Sequence, residues 1–243
     1  MAVRALTLDF WNTMVVARNN GRRRQEQRLE HLVRIVRRYR PEASEETVQT
    51  AYREAGRLYD AMWKHQHRTP GASALVHGIW DALGLTIETA HHAETVKVFE
   101  DGVLFGPPAF ADGFESALAW AAQHYRLGII SDTMFSPGRV IRQLLERQGV
   151  LAYFDAFVFS DETGFSKPDV RAFEHAGAAL GVAPHEMAHI GDLHRTDVAG
   201  ARNAGLKAIL FTGVHDDPAA APHPDAVLAH WQALPEVMKE LSS

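Results

Sequence analysis

The chain is 243 residues long, 46% hydrophobic and 23% charged, with 25 Lys and Arg against 30 Asp and Glu, for a net charge of −5. That is an ordinary globular composition of one to two domains, and the acidic balance argues against nucleic acid or an anionic membrane as partner. With no cysteine, disulfides, cysteine–zinc sites and a thiol nucleophile are excluded. No apolar run approaches the roughly 20 residues that span a bilayer. The N-terminal MAVRALTLDFWNTMVV has too short an apolar part, broken by Asp9, to read as a signal peptide. The expectation is a cytoplasmic enzyme or binding protein with no membrane and no nucleic acid among its partners.

Residues 3–8 are a short apolar run that ends at Asp9 and read as a strand. From about 18 to 100 no strand is convincing and helical periodicity dominates. Leu29, Leu32, Val33 and Val36 form one helical stripe, and Val48, Tyr52, Ala55, Tyr59 and Met62 a second, with Ser44 as its predicted N-cap. A third helix starts near Ser73 and stops at Gly84, and a fourth spans about 88–100. Beyond Gly106-Pro107-Pro108 the texture changes. Apolar runs at Leu127–Ile130, Phe157–Phe159, Met187–Ile190 and Ala208–Phe211 alternate with helical stretches, as in buried parallel strands joined by right-handed crossovers. Residues 212–226 read as a loop. The fold class expected is α/β: a doubly wound, Rossmann-like parallel sheet core over 1–16 and 103–243, with an inserted α-helical cap domain over 17–102.

In open α/β sheets ligands bind beyond the carboxyl ends of the strands. Asp9 to Thr13 follow the first run, Ser131-Asp132-Thr133 the second, Lys167-Pro168-Asp169 a loop after the third, and Gly191-Asp192 the fourth, with Asp197 five residues on. One edge of the sheet thus receives a carboxylate, a hydroxyl, a lysine and two more carboxylates, in that order along the chain.

These four segments, LTLDFWNT, LGIISDT, FSKPDVRAF and HIGDLHRTDVAGARNAG, resemble in order the motifs of the haloacid dehalogenase superfamily, with the helical insert where that family carries a cap. The resemblance implies that Asp9 is the nucleophile, forming an aspartyl-phosphate. It implies that Mg2+ is held by Asp9, Asp192 and the Trp11 carbonyl, and that Lys167 steadies the nucleophile and a phosphate oxygen. Thr13, Ser131, Asp132 and Lys167 would bind substrate, and Asp197 would anchor Lys167 or a metal-bound water. The implied partner is a small phosphorylated molecule; oligomeric state is not legible.

One position departs from the pattern. Phosphatases of the superfamily carry a second aspartate two residues after the nucleophile as general acid and base; here that residue is Trp11, followed by Asn12 where glycine is common. The implied phosphatase is therefore a slow one on poor leaving groups, since such catalysis contributes about 10²–10⁴-fold. Dehalogenases of the superfamily have an aromatic residue there, and a halide leaves without a proton. Asp192 opposes that alternative: without a cation, a second carboxylate about 4 Å from the nucleophile costs roughly 4 kcal/mol at an effective dielectric of about 20. Phosphonate cleavage would need a cap lysine, and Lys64 and Lys97 read as solvated. A non-catalytic binding module on the same fold is the remaining alternative.

In the insert, Tyr59 reads as helical core and Trp63, Lys64, His65 and His67 as surface, the alternative being that this cluster faces the active site, where His65 or His67 could replace the missing acid. The arginines from Arg18 to Arg40 read as a solvated face with a few ion pairs, the alternative being a patch that guides an acidic substrate.

Overall fold

A computed structural model describes residues 2–241. Its central sheet has six parallel strands in the order β3-β2-β1-β4-β5-β6: β1 (Ala5–Leu8), β2 (Arg126–Ser131), β3 (Ala156–Phe159), β4 (Met187–Gly191), β5 (Lys207–Phe211) and β6 (Ala226–Leu228). This is the Rossmann-like order, and the direction of winding reverses between β1 and β4. Leu8 lies in register with Ile190 and Ile129, and the Asp9 N–H donates to the Ile190 carbonyl. The tips of β1 and β4 therefore stand side by side at the switch point. The short apolar runs form these strands because both sheet faces are covered. Leu6, Leu8, Leu127, Ile129, Ile190 and Phe211 face one apolar cluster, whereas Ala5, Ile130, Met187 and Leu210 face another.

Between β1 and β2 lie α1 (Gly21–Tyr39), α2 (Glu45–Gln66), α3 (Ala72–Leu83), α4 (Thr89–Glu100), α5 (Gly102–Phe105) and α6 (Phe114–Ala121). Helices α1 to α4 share an apolar cluster of their own that includes Leu32, Ile35, Val48, Val76, Ile79, Trp80 and Phe99. Ser44 caps α2 as its sequence predicts, accepting from the Thr47 N–H, and Gly84 ends α3 at φ +61°. Helices α6, α7 (Gly138–Arg147) and α11 (Leu234–Leu241) cover the first face of the sheet. After the one-turn α8 (Ser160–Thr163), α9 (Val170–Leu180) and α10 (Ala199–Asn203) cover the second.

Two expectations need correction. The loop expected over 212–226 gives way at Ala226 to β6, a three-residue edge strand paired to Ile209–Phe211 and too short to show periodicity. The buried stripe of α1 is Leu32, Ile35 and Val36, with Leu29 and Val33 only half-buried. Followed back toward the N-terminus at helical spacing, that stripe runs through His31, Arg28 and Arg24, all buried. These arginines are not a solvated face. Among the described residues, only Arg22, Arg34 and Arg37 show the expected outward ion pairs, with Glu26, Glu94 and Glu45.

Candidate active site

A cavity of about 370 Å3 opens above the tips of β1 and β4, roofed by α1 and α2. Asp9, Trp11, Asp132, Lys167, Asp192 and Asp197 all border it. Ser131 and Thr13 are buried but do not border it. The Ser131 hydroxyl donates to the Asp132 carbonyl at 3.4 Å, while Thr13 reaches Asp9 Oδ2 at 3.5 Å.

Lys167 Nζ donates at 2.6 Å both to Asp9 Oδ1 and to Asp197 Oδ1, and all three side chains are buried. Lys167 is thus held as the cation between two carboxylates; their charges outweigh its burial and raise its pKa. Asp197 is the best-satisfied acid of the cluster. Besides Lys167 it accepts from His189 Nε2 at 3.1 Å, from the Leu193 N–H and from the Thr196 hydroxyl. Burial opposes its ionisation, but the Lys167 charge and these donors hold its carboxyl well below the ordinary range. Behind it, Thr7 Oγ1 lies 2.9 Å from His189 Nδ1, so the ring stands between a β1 hydroxyl and the Asp197 carboxylate. Gly191 is required here, since a Cβ on it would stand 2.3 Å from the Asp197 Cγ.

Asp9 and Asp192 are the opposite case. Burial raises Asp9 to about 7 despite Lys167, with Asp197 and Asp132 adding to the rise. Burial likewise raises Asp192 to about 8, with the charges of Asp9 and Asp197 next in weight. Asp192 accepts from its own backbone N–H and from no other described group. Two buried, mutually repelling carboxylates with free acceptor oxygens are a donor set that suits a hard divalent cation. No third His, Asp or Glu joins them among the described residues. An all-oxygen donor set of this kind suits Mg2+, which keeps several waters and takes few protein ligands.

Asn12 has φ +54° and its Oδ1 accepts from the Ala17 N–H. The turn after β1 needs the left-handed conformation, which glycine takes freely and asparagine tolerates. The Trp11 ring meets Phe10 edge-on at 4.9 Å, so nothing at that position can carry a proton.

For Tyr59 and Trp63 the alternative reading holds, and both border the cavity. Tyr59 is buried, but at the cavity, and donates to the Thr133 carbonyl. Trp63 is not surface: its indole N–H donates to Asp132 Oδ2 at 2.7 Å, and Arg195 lies over its ring at 4.4 Å. Asp132 Oδ1 meanwhile accepts from the Lys167 N–H at 2.9 Å, so this carboxylate ties α2 to the sheet edge. His65 and His67 are exposed as expected. The signal for Trp63 was its spacing of four residues from Tyr59; for His189 it was a lone polar ring within an apolar strand.

The model of haloacid dehalogenase-like hydrolases matches residues 3–205. The chain belongs to this family. Within it, the chain is 30% identical over 181 residues to phosphoglycolate phosphatase of Cereibacter sphaeroides, covering 70% of this chain and 78% of that one. It is 43% identical over 88 residues to glyceraldehyde 3-phosphate phosphatase of Methanothermobacter thermautotrophicus, covering 35% of this chain and only 37% of that relative's length. A solved 2-haloacid dehalogenase from Pseudomonas syringae pv. Tomato DC3000 superimposes with a TM-score of 0.74 over 98% of this chain and 99% of that one, at 23% identity. That likeness establishes the haloacid dehalogenase fold and leaves the reaction to the site.

Proposed function

We propose that this hydrolase is a cytoplasmic, Mg2+-dependent phosphatase of small phosphorylated molecules that works through an aspartyl-phosphate on Asp9. One observation carries the proposal: Asp9 Oδ1 is occupied by Lys167, whereas among the described residues Oδ2 meets only Thr13, at 3.5 Å, beside a buried Asp192 that has no donor but its own backbone N–H. Two of the relatives named above are phosphatases of small phosphorylated molecules, which supports the same reading.

In the first step Asp9 Oδ2 attacks phosphorus and the bond from phosphorus to the leaving oxygen breaks, that oxygen keeping the electron pair. In the second, water attacks the same phosphorus, the bond to Asp9 breaks, and inorganic phosphate leaves. Lys167 holds Asp9 in place through Oδ1 and is itself held by Asp197. Asp9, Asp192 and the Trp11 carbonyl would hold the Mg2+, which when bound supplies the positive charge that offsets the carboxylates and the phosphate. Thr13, Ser131 and Asp132 shape the phosphate end of the site, Thr13 and Ser131 from behind the cavity wall. The helical segment over residues 17–102 acts as the cap that excludes water. Because Trp11 supplies no proton, leaving groups of low pKa are favoured.

Hydrolysis of an aryl phosphate with and without Mg2+ tests this. Turnover is expected to need the metal and to vanish in Asp9→Asn. Trp11 also supports a second reading, dehalogenation through an ester on Asp9, since a halide needs no proton. Metal-independent turnover of a 2-chloroalkanoate, with aryl phosphates inert, decides for that reading.

A further inference from the structure

The roof of the cavity carries two buried arginines, and they are not equivalent. Arg24 is held by the backbone: Nη1 donates to the carbonyls of Asn19 and Gly106, and Nη2 to that of Ala17. It laces together the two chain segments that join the insert to the sheet. Arg28, one turn on, borders the same cavity as Asp9 and Lys167. Its Nη2 donates to the Phe99 carbonyl at 3.1 Å, but its buried Nε has no hydrogen-bond partner. No carboxylate pairs with it among the described residues. The outward arginines of α1 found Glu26, Glu94 and Glu45, and Asp60, the acid of α2 on the cavity wall, pairs with neither Arg24 nor Arg28.

A guanidinium buried without a counter-charge is costly unless something else compensates it. Part of the compensation is visible. The guanidinium donates a hydrogen bond to the Tyr52 side chain, the Phe135 ring lies 4.2 Å and the Phe99 ring 5.6 Å from Arg28 Cζ, and Gly102 leaves room for Nη2, which a Cβ there would approach to 2.7 Å. These contacts fix the guanidinium in place without neutralising it. The cavity therefore has one acidic end, with Asp9, Asp132, Asp192, Asp197 and Lys167, and a roof with two cations. The ester of a neutral alcohol would leave Arg28 uncompensated; an anion borne by the leaving group would pair with it. An arginine's planar fork suits both carboxylate and phosphate.

We propose that Arg28 binds a second anionic group on the leaving-group part of the substrate, a carboxylate or a second phosphate, so that the enzyme selects doubly anionic phosphate esters over esters of neutral alcohols. This rests on the phosphatase reading above.

The test compares kcat/KM, with Mg2+ present, for three aryl phosphates of matched leaving-group pKa: one bearing a carboxylate, one a second phosphate, one an uncharged group of similar size. At least one anionic ester is expected to exceed the uncharged one by tenfold or more in the wild-type enzyme, and the arm that does so identifies the anion. In Arg28→Met the ratio is expected to fall to about one. Should that variant not fold, Arg28→Lys, which keeps the charge without the fork, is expected to lower the ratio at least threefold. A ratio near one in the wild type, or one retained in a folded Arg28 variant, overturns the proposal while leaving the phosphatase reading intact. Inertness of all three esters removes both.

Discussion

The indole N–H of Trp63, near the C-terminal end of α2, donates to Asp132 Oδ2 just beyond β2, 2.7 Å away. Sixty-nine residues separate the two in sequence. The other oxygen of the same carboxylate receives the backbone N–H of Lys167. One side chain therefore reports to the roof and to Lys167 at once.

Trp63→Phe keeps the ring and removes the donor. A hydrogen bond to a charged group is worth about 1.5–3 kcal/mol, and Trp63 is half-exposed, so the lower end applies. A rise in KM of roughly tenfold, corresponding to about 1.4 kcal/mol, is expected with a smaller change in kcat. Steady-state kinetics on an aryl phosphate measure it; an unchanged KM would show that the roof does not depend on this bond.

Asp197→Asn removes the charge that holds Lys167 and disturbs four hydrogen bonds in a fully buried site. Removing one partner of such a pair typically costs about 3–5 kcal/mol. Gly191→Ala drives a methyl group into the same carboxyl without altering charge, for about 1–3 kcal/mol as overpacking. Urea unfolding of both variants is expected to show losses in that order. A wild-type midpoint in Gly191→Ala would refute the close approach at Asp197.

Metal-free protein is expected to lose stability as pH rises from about 4 to 8. Asp9 and Asp192 titrate near 7 and 8 when folded, against about 3.9 in an unfolded chain. Across that window the folded state binds more protons than the unfolded state, so stability falls, with a limiting slope of about 1.4 kcal/mol per pH unit for each group. Asp197, held low, gives up its contribution only in more acidic solution, and Lys167, held high, only in alkali. A divalent cation binds the ionised forms, so the gap between melting curves in Mg2+ and in chelator should widen with pH. Saturation at a hundred times Kd is worth about 2.7 kcal/mol. Parallel curves would mean that Asp9 and Asp192 do not hold the ion.

Trp11→Asp restores a proton carrier beside Asp9. Turnover of an alkyl phosphate relative to an aryl phosphate is expected to rise at least tenfold, a modest share of the roughly 10²–10⁴ that general acid catalysis contributes. The lost contact with Phe10 makes a folding check part of the experiment, and an unchanged ratio in a folded variant would count against the missing-acid account.

The sheet and its polar edge were legible because strand tips deliver side chains by chain order alone. Asp9, Asp132, Lys167, Asp192 and Asp197 could each be placed from the apolar run before it. The roof was not legible in the same way. Arg24 and Arg28 look like surface charges until the helix is docked, since their burial is decided by which face of α1 turns inward. Trp63 illustrates the same limit: its partner lies on an element far away in sequence. Ser131 shows the converse. Its position at the end of β2 was read correctly, but whether a hydroxyl faces the cavity or the backbone depends on a single side-chain torsion.

The backbone leaves the sheet after β1 and comes back beside its own point of departure. The Val16 N–H donates to the Ala109 carbonyl, the Ala111 N–H to that of Met14, and the Asn20 side chain to that of Pro107. The helical excursion hangs on two stitched, neighbouring strings, so a different excursion of any length could be grafted there without re-threading a single strand. The sheet and its helical insert are thereby parts of the chain that evolution can revise separately.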